Sequence, residues 1–238
     1  MDGAQSVRVN FGRPVALFPL DAVLLPQQPM PLHIFEPRYR QMVDNELDAA
    51  GQIAIATLDP SLPRTEAGEP GIRPIVCVGQ IVTHERLPDG RFHIILHGLC
   101  RARVVKEIPA GGGTLYRRAV LEPFGNESGE LEDNTGTMER LRSWVDDALD
   151  AGGALSRLRI AEQVLEYVRN DAIPTPVLLD VVGFTMVMGR ENRYRMLSEP
   201  SPEARTRMLA DELRKLASTI RAAEGQHPED WPKGMSWN

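Results

Sequence analysis

Short apolar runs alternate with polar residues through the first half of the chain, and this pattern predicts strands. Apolar side chains that recur at every second residue are typical of a strand with one buried face. The pattern predicts strands over residues 15–20, 32–35, 52–58, 75–87, 92–105 and 116–123. A helix interrupts them, and it is expected to begin at Pro37 because proline is favoured at the first helical position. Tyr39 and Val43 follow Pro37 at helical spacing.

The predicted strand over residues 92–105 carries apolar and basic residues on opposite faces. Its apolar face is expected to hold Phe92, Ile94, Leu96, Cys100, Ala102 and Val104. Its other face is expected to hold His93, His97, Arg101 and Arg103. The turn residues at 88–91 predict a hairpin with the preceding strand. Gly98 interrupts the alternation, so we expect a bulge or a barrel corner there.

The composition changes from residue 125 onward, first to a polar, acidic linker and then to helical periodicity. Apolar residues at spacings of three and four predict helices around 138–148, 160–168, 177–188 and 209–220. Strands followed by helices indicate an α+β fold. We expect a β-rich subdomain over 1–124, a helical subdomain over 125–225, and an extended or disordered tail over 226–238.

The composition limits the compartment and the partners. The 238 residues carry a net charge of -6, which does not favour attraction to nucleic acid or anionic lipid. The N-terminal residues lack the apolar core of a signal peptide, and no apolar run approaches the roughly 20 residues of a membrane span. Cys77 and Cys100 fall in predicted strands and are interpreted as buried thiols. These observations together predict a cytoplasmic protein.

The most distinctive segment covers residues 17–42, where five prolines separate short apolar runs ahead of the cluster Glu36-Pro37-Arg38-Tyr39-Arg40. Proline removes a backbone donor and disfavours helix at the residue before it, so this segment is neither one helix nor an uninterrupted central strand. It closely resembles the start of the Lon protease N-terminal domain, the substrate-binding domain of the peptidase S16 family. The resemblance continues through 78–81, 87–91, 95–104 and 178–182, and it covers roughly residues 14–220.

The resemblance implies a PUA-like β pseudo-barrel followed by a helical bundle. It also implies recognition of unfolded or extended polypeptide, or of a protease or chaperone partner, in protein quality control. An ATPase module requires a glycine-rich loop that ends in Lys followed by Ser or Thr. None of Lys106, Lys215 and Lys233 has that hydroxyl neighbour, and the chain is too short for ATPase and protease modules. We therefore expect a stand-alone recognition domain with no catalytic residue and no cofactor.

Metal binding and hydrolysis are the least expected activities. His93 and His97 are four residues apart, or roughly 13 Å along a strand, so one ion does not join them. His84 is the residue expected to approach His93 across the hairpin, and no metal site is expected from this pair. The sequence has no G-x-S-x-G elbow and no cysteine in a recognisable catalytic context. An uncharacterised hydrolase is thus the weakest hypothesis.

RNA or nucleotide binding is the serious alternative, because PUA-like folds elsewhere bind RNA. The residues expected to form a basic strip with a stacking aromatic side chain are Arg101, Arg103, Arg117, Arg118 and Tyr116. The acidic net charge and the absence of an aromatic-rich strand motif argue against this alternative.

Two interpretations of the proline-rich segment remain open. In the functional one, an apolar groove with a polar rim accepts extended polypeptide, and the loop over 59–74 covers or extends it. The residues of that hypothesis are Met30, Leu32, Ile34, Arg38 and Tyr39, and Phe35 is a further apolar contact in it. In the architectural one, Glu36 pairs with Arg40 at i,i+4 spacing beside Pro37. Phe35 and Tyr39 then enter the core, so the segment sets the turn from strand to helix.

Overall fold

The computed structural model describes residues 9–65, 68–125, 135–149, 153, 155, 156, 158, 160–170 and 172–224. The strands are β1 (Val15–Leu20), β2 (Pro29–Ile34), β3 (Gln52–Thr57), β4 (Ile75–Arg86), β5 (Phe92–Ile108) and β6 (Arg118–Pro123). The helices are α1 (Pro37–Leu47), α2 (Thr135–Leu149), α3 (Ala161–Arg169), α4 (Thr175–Met186), α5 (Arg190–Ser198) and α6 (Pro202–Glu224). Strands thus precede helices, except for α1, as the sequence predicts.

The strands form one sheet that closes on itself. Their order is β2-β5-β4-β3-β1-β6, and β6 also pairs with the second half of β5. This extra pairing closes a barrel of β5, β4, β3, β1 and β6, in which β1 and β3 are parallel and the other neighbours antiparallel. The remaining strand, β2, pairs with the first half of β5. The expected α+β fold, a β pseudo-barrel followed by helices, is confirmed.

Two hydrophobic cores follow from this arrangement. One fills the barrel with small and branched side chains that every barrel strand contributes, among them Leu17, Ala54 and Val78. The other lies outside the barrel and joins Phe18 and Ile55 of the strands to Val164 and other helical residues. Because the second core crosses from strands to helices, the outer face of the barrel is the surface on which the helices pack. The expected boundary at residues 124 and 125 stays a prediction.

A bulge in β5 exchanges the faces of that strand. Val78 pairs with Cys100 but Gly79 pairs with Gly98, so β5 holds one extra residue here. Before the bulge, Phe92 and the next alternate residues face the outer core, whereas after it Ala102 faces the barrel interior. The predicted single apolar face over 92–104 is therefore wrong, because a shift of one residue moves every later side chain to the other face.

Gly98 lies where two backbone segments approach closely. A Cβ atom on Gly98 would lie 2.1 Å from the carbonyl oxygen of Leu25. The backbone NH of Gly98 donates to Gln28 O, and that of Gln27 donates to Gly98 O, both at 2.9 Å. These hydrogen bonds hold the segment that leads into β2 against β5. The approach is so close that only glycine can occupy position 98 without a backbone shift.

The element boundaries differ from the sequence predictions at a few places. β2 begins at Pro29, three residues before the predicted strand, and α5 was not predicted at all. α3 begins at Ala161, one residue after the predicted start, and the Ser156 hydroxyl ahead of it donates to Gly153 O. The predicted tail over 226–238 lies outside the described residues. Within the described part of the chain, no helix is long and apolar enough to cross a membrane.

Polar contacts join the helices to the barrel. Arg101 of β5 donates to the carboxylate of Asp180 on α4 at 2.6 Å. The Tyr194 hydroxyl on α5 accepts from the backbone NH of Ile75 at 3.1 Å. Arg73, just before β4, forms a two-point ion pair with Glu191 on α5, at 2.8 and 2.9 Å. The unpredicted helix α5 is therefore one of the elements that connect the two halves.

Candidate functional site

The structure buries most of the residues expected to bind polypeptide. Met30, Ile34 and Tyr39 are 9%, 1% and 6% exposed, and all three belong to the outer core. Leu32 is half-buried and packs against the same core. As groove-lining contacts, Met30, Ile34 and Tyr39 are therefore corrected: these three side chains lie in the core beneath β2 and α1. Leu32 also lines a concave surface beside β2. The cause is the two-residue period of the strand, which directs Met30, Leu32 and Ile34 to one side.

Tyr39 stabilises the first turn of α1 from inside the core. Its ring lies 4.2 Å from the ring of Phe18, measured between centroids. Burial raises the pKa of the Tyr39 hydroxyl above its ordinary value. A neutral, packed tyrosine at this place agrees with the architectural interpretation and contradicts a position on the rim.

Arg38 is partly exposed and lies in a network of carboxylates. Its guanidinium donates to Glu36 at 2.9 Å, reaches Glu69 at 3.5 Å, and covers the Tyr39 ring at 4.5 Å. Glu69 also pairs with Arg117 at 2.9 Å. The loop over 59–74 is therefore tied to the start of α1 through Glu69, and Arg38 is one of the residues that hold it.

The expected pairing of Glu36 with Arg40 is wrong. Glu36 accepts from Arg38 instead, and Arg40 donates to the carbonyl oxygen of Asp89 at 3.2 Å, which links α1 to the hairpin turn. Pro37 does occupy the first turn of α1, as predicted. The expected burial of Phe35 is also wrong, because 60% of this residue is exposed. Phe35 is thus an exposed aromatic side chain beside the edge strand.

The other face of β2 carries exposed apolar and aromatic side chains. The register pairs Pro29 with His97, Pro31 with Ile95, and His33 with His93. We call the outer track the row made by Pro29, Pro31, His33, Phe35, His93, Ile95 and His97. The His33 ring contacts two neighbouring rings: it stacks on Phe35 with the centroids 6.0 Å apart, and it is tilted by 51° against His93 with the centroids 4.8 Å apart. Six residues of β2 give this row a length of roughly 20 Å.

Two concave surfaces adjoin the outer track. One, of about 400 Å³, is lined by Pro31, Leu32, His33, His93, Ile94 and Ile95 together with Thr83 and Glu85 of β4. The other, of about 540 Å³, lies between the Pro29–His97 pair and helices α3 and α4. The apolar side chains of its helical wall are Ile160, Val164, Tyr167, Ile173, Val177, Val181 and Phe184. Pockets of this size and apolar character are typical of ligand-binding sites.

The free edge of β2 is poor in hydrogen-bond donors. Among the described residues, β5 is the one strand partner of β2. Backbone groups of alternate residues point to opposite sides of a strand, and prolines have no NH to give to a ladder. The prolines at 29 and 31 are therefore placed on the outward side, where they remove two donors from the edge. An edge of this kind resists pairing with another sheet.

The residues of the predicted RNA-binding strip are not collected on one surface. Arg101 and Arg117 are 1% and 4% exposed, and each pairs with carboxylates: Asp180 for Arg101, Glu69 and Glu107 for Arg117. Tyr116 is buried as well, and its hydroxyl accepts from Asn45 at 3.1 Å. Arg103 pairs with Glu122 at 3.3 Å, while Arg118 is half-buried. The expected basic strip is therefore wrong as a surface feature.

The described histidines lie on or near the β2–β5 pair and make few contacts with acidic side chains. The residue beside His93 is His33, rather than the expected His84, which lies opposite Ile94. His93 Nδ1 lies 3.6 Å from Glu85 Oε2. Across the ranges that the structure describes, no group of three or more His, Cys, Asp or Glu side chains is arranged to hold a metal ion.

The fold and the outer track define an α+β protein with an exposed apolar surface beside its edge strand. The family model for the ATP-dependent protease La (LON) substrate-binding domain matches residues 14–215, so the chain belongs to that family. It is a family of substrate-binding domains rather than a catalytic one. The resemblance drawn from the proline-rich segment is confirmed.

Solved structures share the fold. The N-terminal domain of the Mycobacterium avium complex Lon protease superposes with a TM-score of 0.63 at 17% identity, over 85% of this chain and 98% of that one. A Lon N-terminal domain protein from Xanthomonas campestris gives a TM-score of 0.55 at 18% identity, over 84% and 98% of the two chains. Comparison with curated proteins finds no significant match.

Proposed function

We propose that this protein is a non-catalytic recognition module that binds extended polypeptide along the outer track. The bound segment lies across the Pro31–Ile95 and His33–His93 pairs, with apolar side chains entering the two concave surfaces. The partner is an unfolded client protein or an extended segment of a protease or chaperone, and the setting is protein quality control in the cytoplasm.

The single observation that carries the proposal is the continuity of the outer track with two concave apolar surfaces. Exposed apolar side chains in a contiguous row are uncommon on a monomer and often mark an interaction site. A row of roughly 20 Å matches about six residues of extended chain, because a strand rises about 3.3 Å per residue. The description of the family as substrate-binding supports the same proposal.

Recognition by side chains fits the edge strand better than recognition by the backbone. A peptide that adds a strand to a sheet needs alternating donors and acceptors along the free edge. The prolines at 29 and 31 remove donors there, so added-strand binding loses part of its hydrogen bonding. Apolar contact across the face of the β2–β5 pair is the mode that remains, with little dependence on the sequence of the client.

Photocrosslinking tests the location. The probe is a neutral ten-residue peptide that alternates leucine with serine and carries one benzoylphenylalanine near its centre. We expect mass spectrometry to find crosslinks at His33, Phe35 and Ile95, and competition by the same peptide without the photoreactive group. The matched control is an all-serine peptide with the same reactive residue, which is expected to label weakly and without preference.

Crosslinks that concentrate at exposed apolar residues elsewhere, such as Val105 and Leu115, contradict the proposed location. Equal labelling by the leucine and serine peptides contradicts apolar recognition altogether. RNA binding with a steep salt dependence, abolished by R103Q, would instead favour the alternative function.

A further inference from the structure

A second concave surface, between α2 and α6, shares no residue with the outer track. Its volume is about 460 Å³, and its lining combines one aromatic ring with three guanidinium groups. We call it the arginine cavity. Its lining residues are Arg140, Trp144, Thr206, Arg207, Ala210, Asp211 and Arg214. Trp144 is half-buried and packs on the outer core, whereas the three arginines are exposed.

The arginine cavity carries an excess of positive charge on a protein whose net charge is -6. Arg214 donates to Asp211 at 2.6 Å, and its guanidinium carbon lies 5.8 Å from the Trp144 ring. Arg140 donates through Nε to the carbonyl oxygen of Gly136 at 2.6 Å, which leaves its two terminal nitrogens for a ligand. Within the part of the chain that the structure describes, neither Arg140 nor Arg207 has a carboxylate partner.

We propose that the arginine cavity binds a short acidic peptide segment that also contains an apolar side chain. Guanidinium groups form paired hydrogen bonds with carboxylates, and they do so more strongly than neutral donors. The half-buried ring of Trp144 provides a flat apolar surface for a leucine or phenylalanine side chain beside the acidic residues. A volume of about 460 Å³ is within the range of pockets that take small ligands or a few side chains.

The surroundings of the arginine cavity favour a peptide over nucleic acid. Asp147 follows Trp144 by three residues and is exposed. Residues three apart on a helix lie on the same side, so this carboxylate borders the cavity, and Asp211 is part of its lining. A polynucleotide needs a continuous row of cations along its phosphates. Three arginines enclosed by acidic residues instead suit a ligand with two or three negative charges.

Fluorescence anisotropy with the whole chain tests this proposal. The probe is a fluorescein-labelled peptide of sequence Gly-Glu-Leu-Glu-Phe-Asp-Glu, and its comparator carries Gln and Asn in place of Glu and Asp. We expect the acidic peptide to bind at least about tenfold more tightly than the comparator, and 0.5 M NaCl to weaken it by a similar factor. A fluorescein-labelled ten-residue oligouridylate serves as the third ligand.

Two variants and one control locate the site. The double variant R207Q/R214Q is expected to weaken the acidic peptide at least about tenfold, and W144L to weaken it several-fold, roughly three to five. Arg221→Gln changes an exposed arginine further along α6 and is expected to stay within about twofold of the parent. Thermal unfolding by circular dichroism verifies that each variant is folded.

Equal binding of the acidic peptide and its comparator overturns the proposal. So does unchanged affinity in folded R207Q/R214Q, or tighter binding of the oligouridylate than of the peptide. The salt titration uses the parent protein, so it decides the matter even where a variant fails to fold. The neutral leucine peptide measures the outer track in the same samples, and the two proposals therefore fail separately.

Discussion

The guanidinium of Arg101 and the carboxylate of Asp180 meet at 2.6 Å across the junction of the barrel and the helices. The Arg101 side chain is 1% exposed, and that of Asp180 is 12% exposed. The β5 bulge at Gly98 makes this pairing possible. Without the extra residue Arg101 would face the barrel interior, whereas with it Ala102 faces the interior and Arg101 faces α4. Burying an ion pair removes water from both charged groups. Replacing one partner therefore leaves an unpaired buried charge and destabilises the fold more than replacing both partners.

Removing one member of this pair is expected to destabilise the fold strongly. Arg101→Met leaves the Asp180 carboxylate at a largely apolar junction, and the expected loss is about 3–5 kcal/mol. The double variant R101M/D180L removes both charges and is expected to recover a large part of that loss. Urea unfolding followed by circular dichroism measures both. A single-variant loss below about 1 kcal/mol would show that the pair contributes no more than a surface ion pair.

Gly98→Ala is expected to destabilise the contact between β5 and the segment before β2. Its Cβ would lie 2.1 Å from the Leu25 carbonyl oxygen, so the backbone must move. We expect a loss of about 2–3 kcal/mol in the free energy of unfolding. Gly136→Ala is the matched control, because its Cβ meets nothing closer than 3.8 Å and a helix favours alanine. Equal stabilities of the two variants would contradict the close approach.

The Arg73–Glu191 ion pair predicts a stability that falls in acid. The hydrogen bond from Arg73 holds the pKa of Glu191 below its ordinary value. The pKa of Asp59, the other carboxylate beside Arg73, is also lowered, chiefly by hydrogen bonds from Ser61. A carboxyl whose pKa is lower in the folded state stabilises the fold above its unfolded pKa of about 4.3 for Glu. That contribution disappears as pH falls through the folded pKa.

Glu191→Gln is therefore expected to be less stable than the parent near neutral pH and to approach it below about pH 4. Urea midpoints between pH 3 and 7 measure the difference. Glu166→Gln, at an exposed position on α3, serves as the comparison carboxylate. If the parent and E191Q curves stay parallel over the whole range, the ion pair does not contribute in this way.

Restoring a donor to the edge of β2 is expected to promote self-association. Pro31→Thr returns an NH to the outward side of the strand and adds a residue that favours strands. We expect sedimentation velocity to show dimers or larger species that increase with protein concentration. Thr83→Val, which changes the same outer surface without adding an edge donor, is expected to remain like the parent. Monomeric P31T at high concentration would contradict the role of the proline.

The strands and α1 were predictable because their periodicity and prolines are local signals. The orientation of β2 was predictable too: Met30, Leu32 and Ile34 alternate with more exposed residues, which is the pattern of a half-buried strand. This pattern argues against Met30 and Ile34 as exposed contacts. Phe35, at the end of the strand, follows the parity of Pro31 and His33.

Other features depend on contacts distant in sequence. The orientation of Arg101 toward α4 depends on a bulge opposite Gly79. Gly98 indicated an irregularity in the strand but not its direction. Helix α5 was not predictable because Arg190–Ser198 lacks a clear apolar stripe. Its contacts are distant in sequence: Tyr194 accepts from Ile75 of β4, and Glu191 pairs with Arg73 just before that strand. The arginine cavity joins residues of α2 and α6 more than 60 positions apart, which no local pattern reveals.

The central claim is that the outer track binds extended polypeptide, and Ile95→Asp tests it most directly. Isothermal titration with the neutral leucine-serine peptide compares this variant with Val105→Asp, which changes an exposed apolar residue later in the same strand. We predict that I95D weakens binding at least about tenfold, because the bound peptide would remove water from the new carboxylate without pairing it. V105D is expected to stay within about twofold of the parent. Equal affinities of I95D, V105D and the parent would contradict the account.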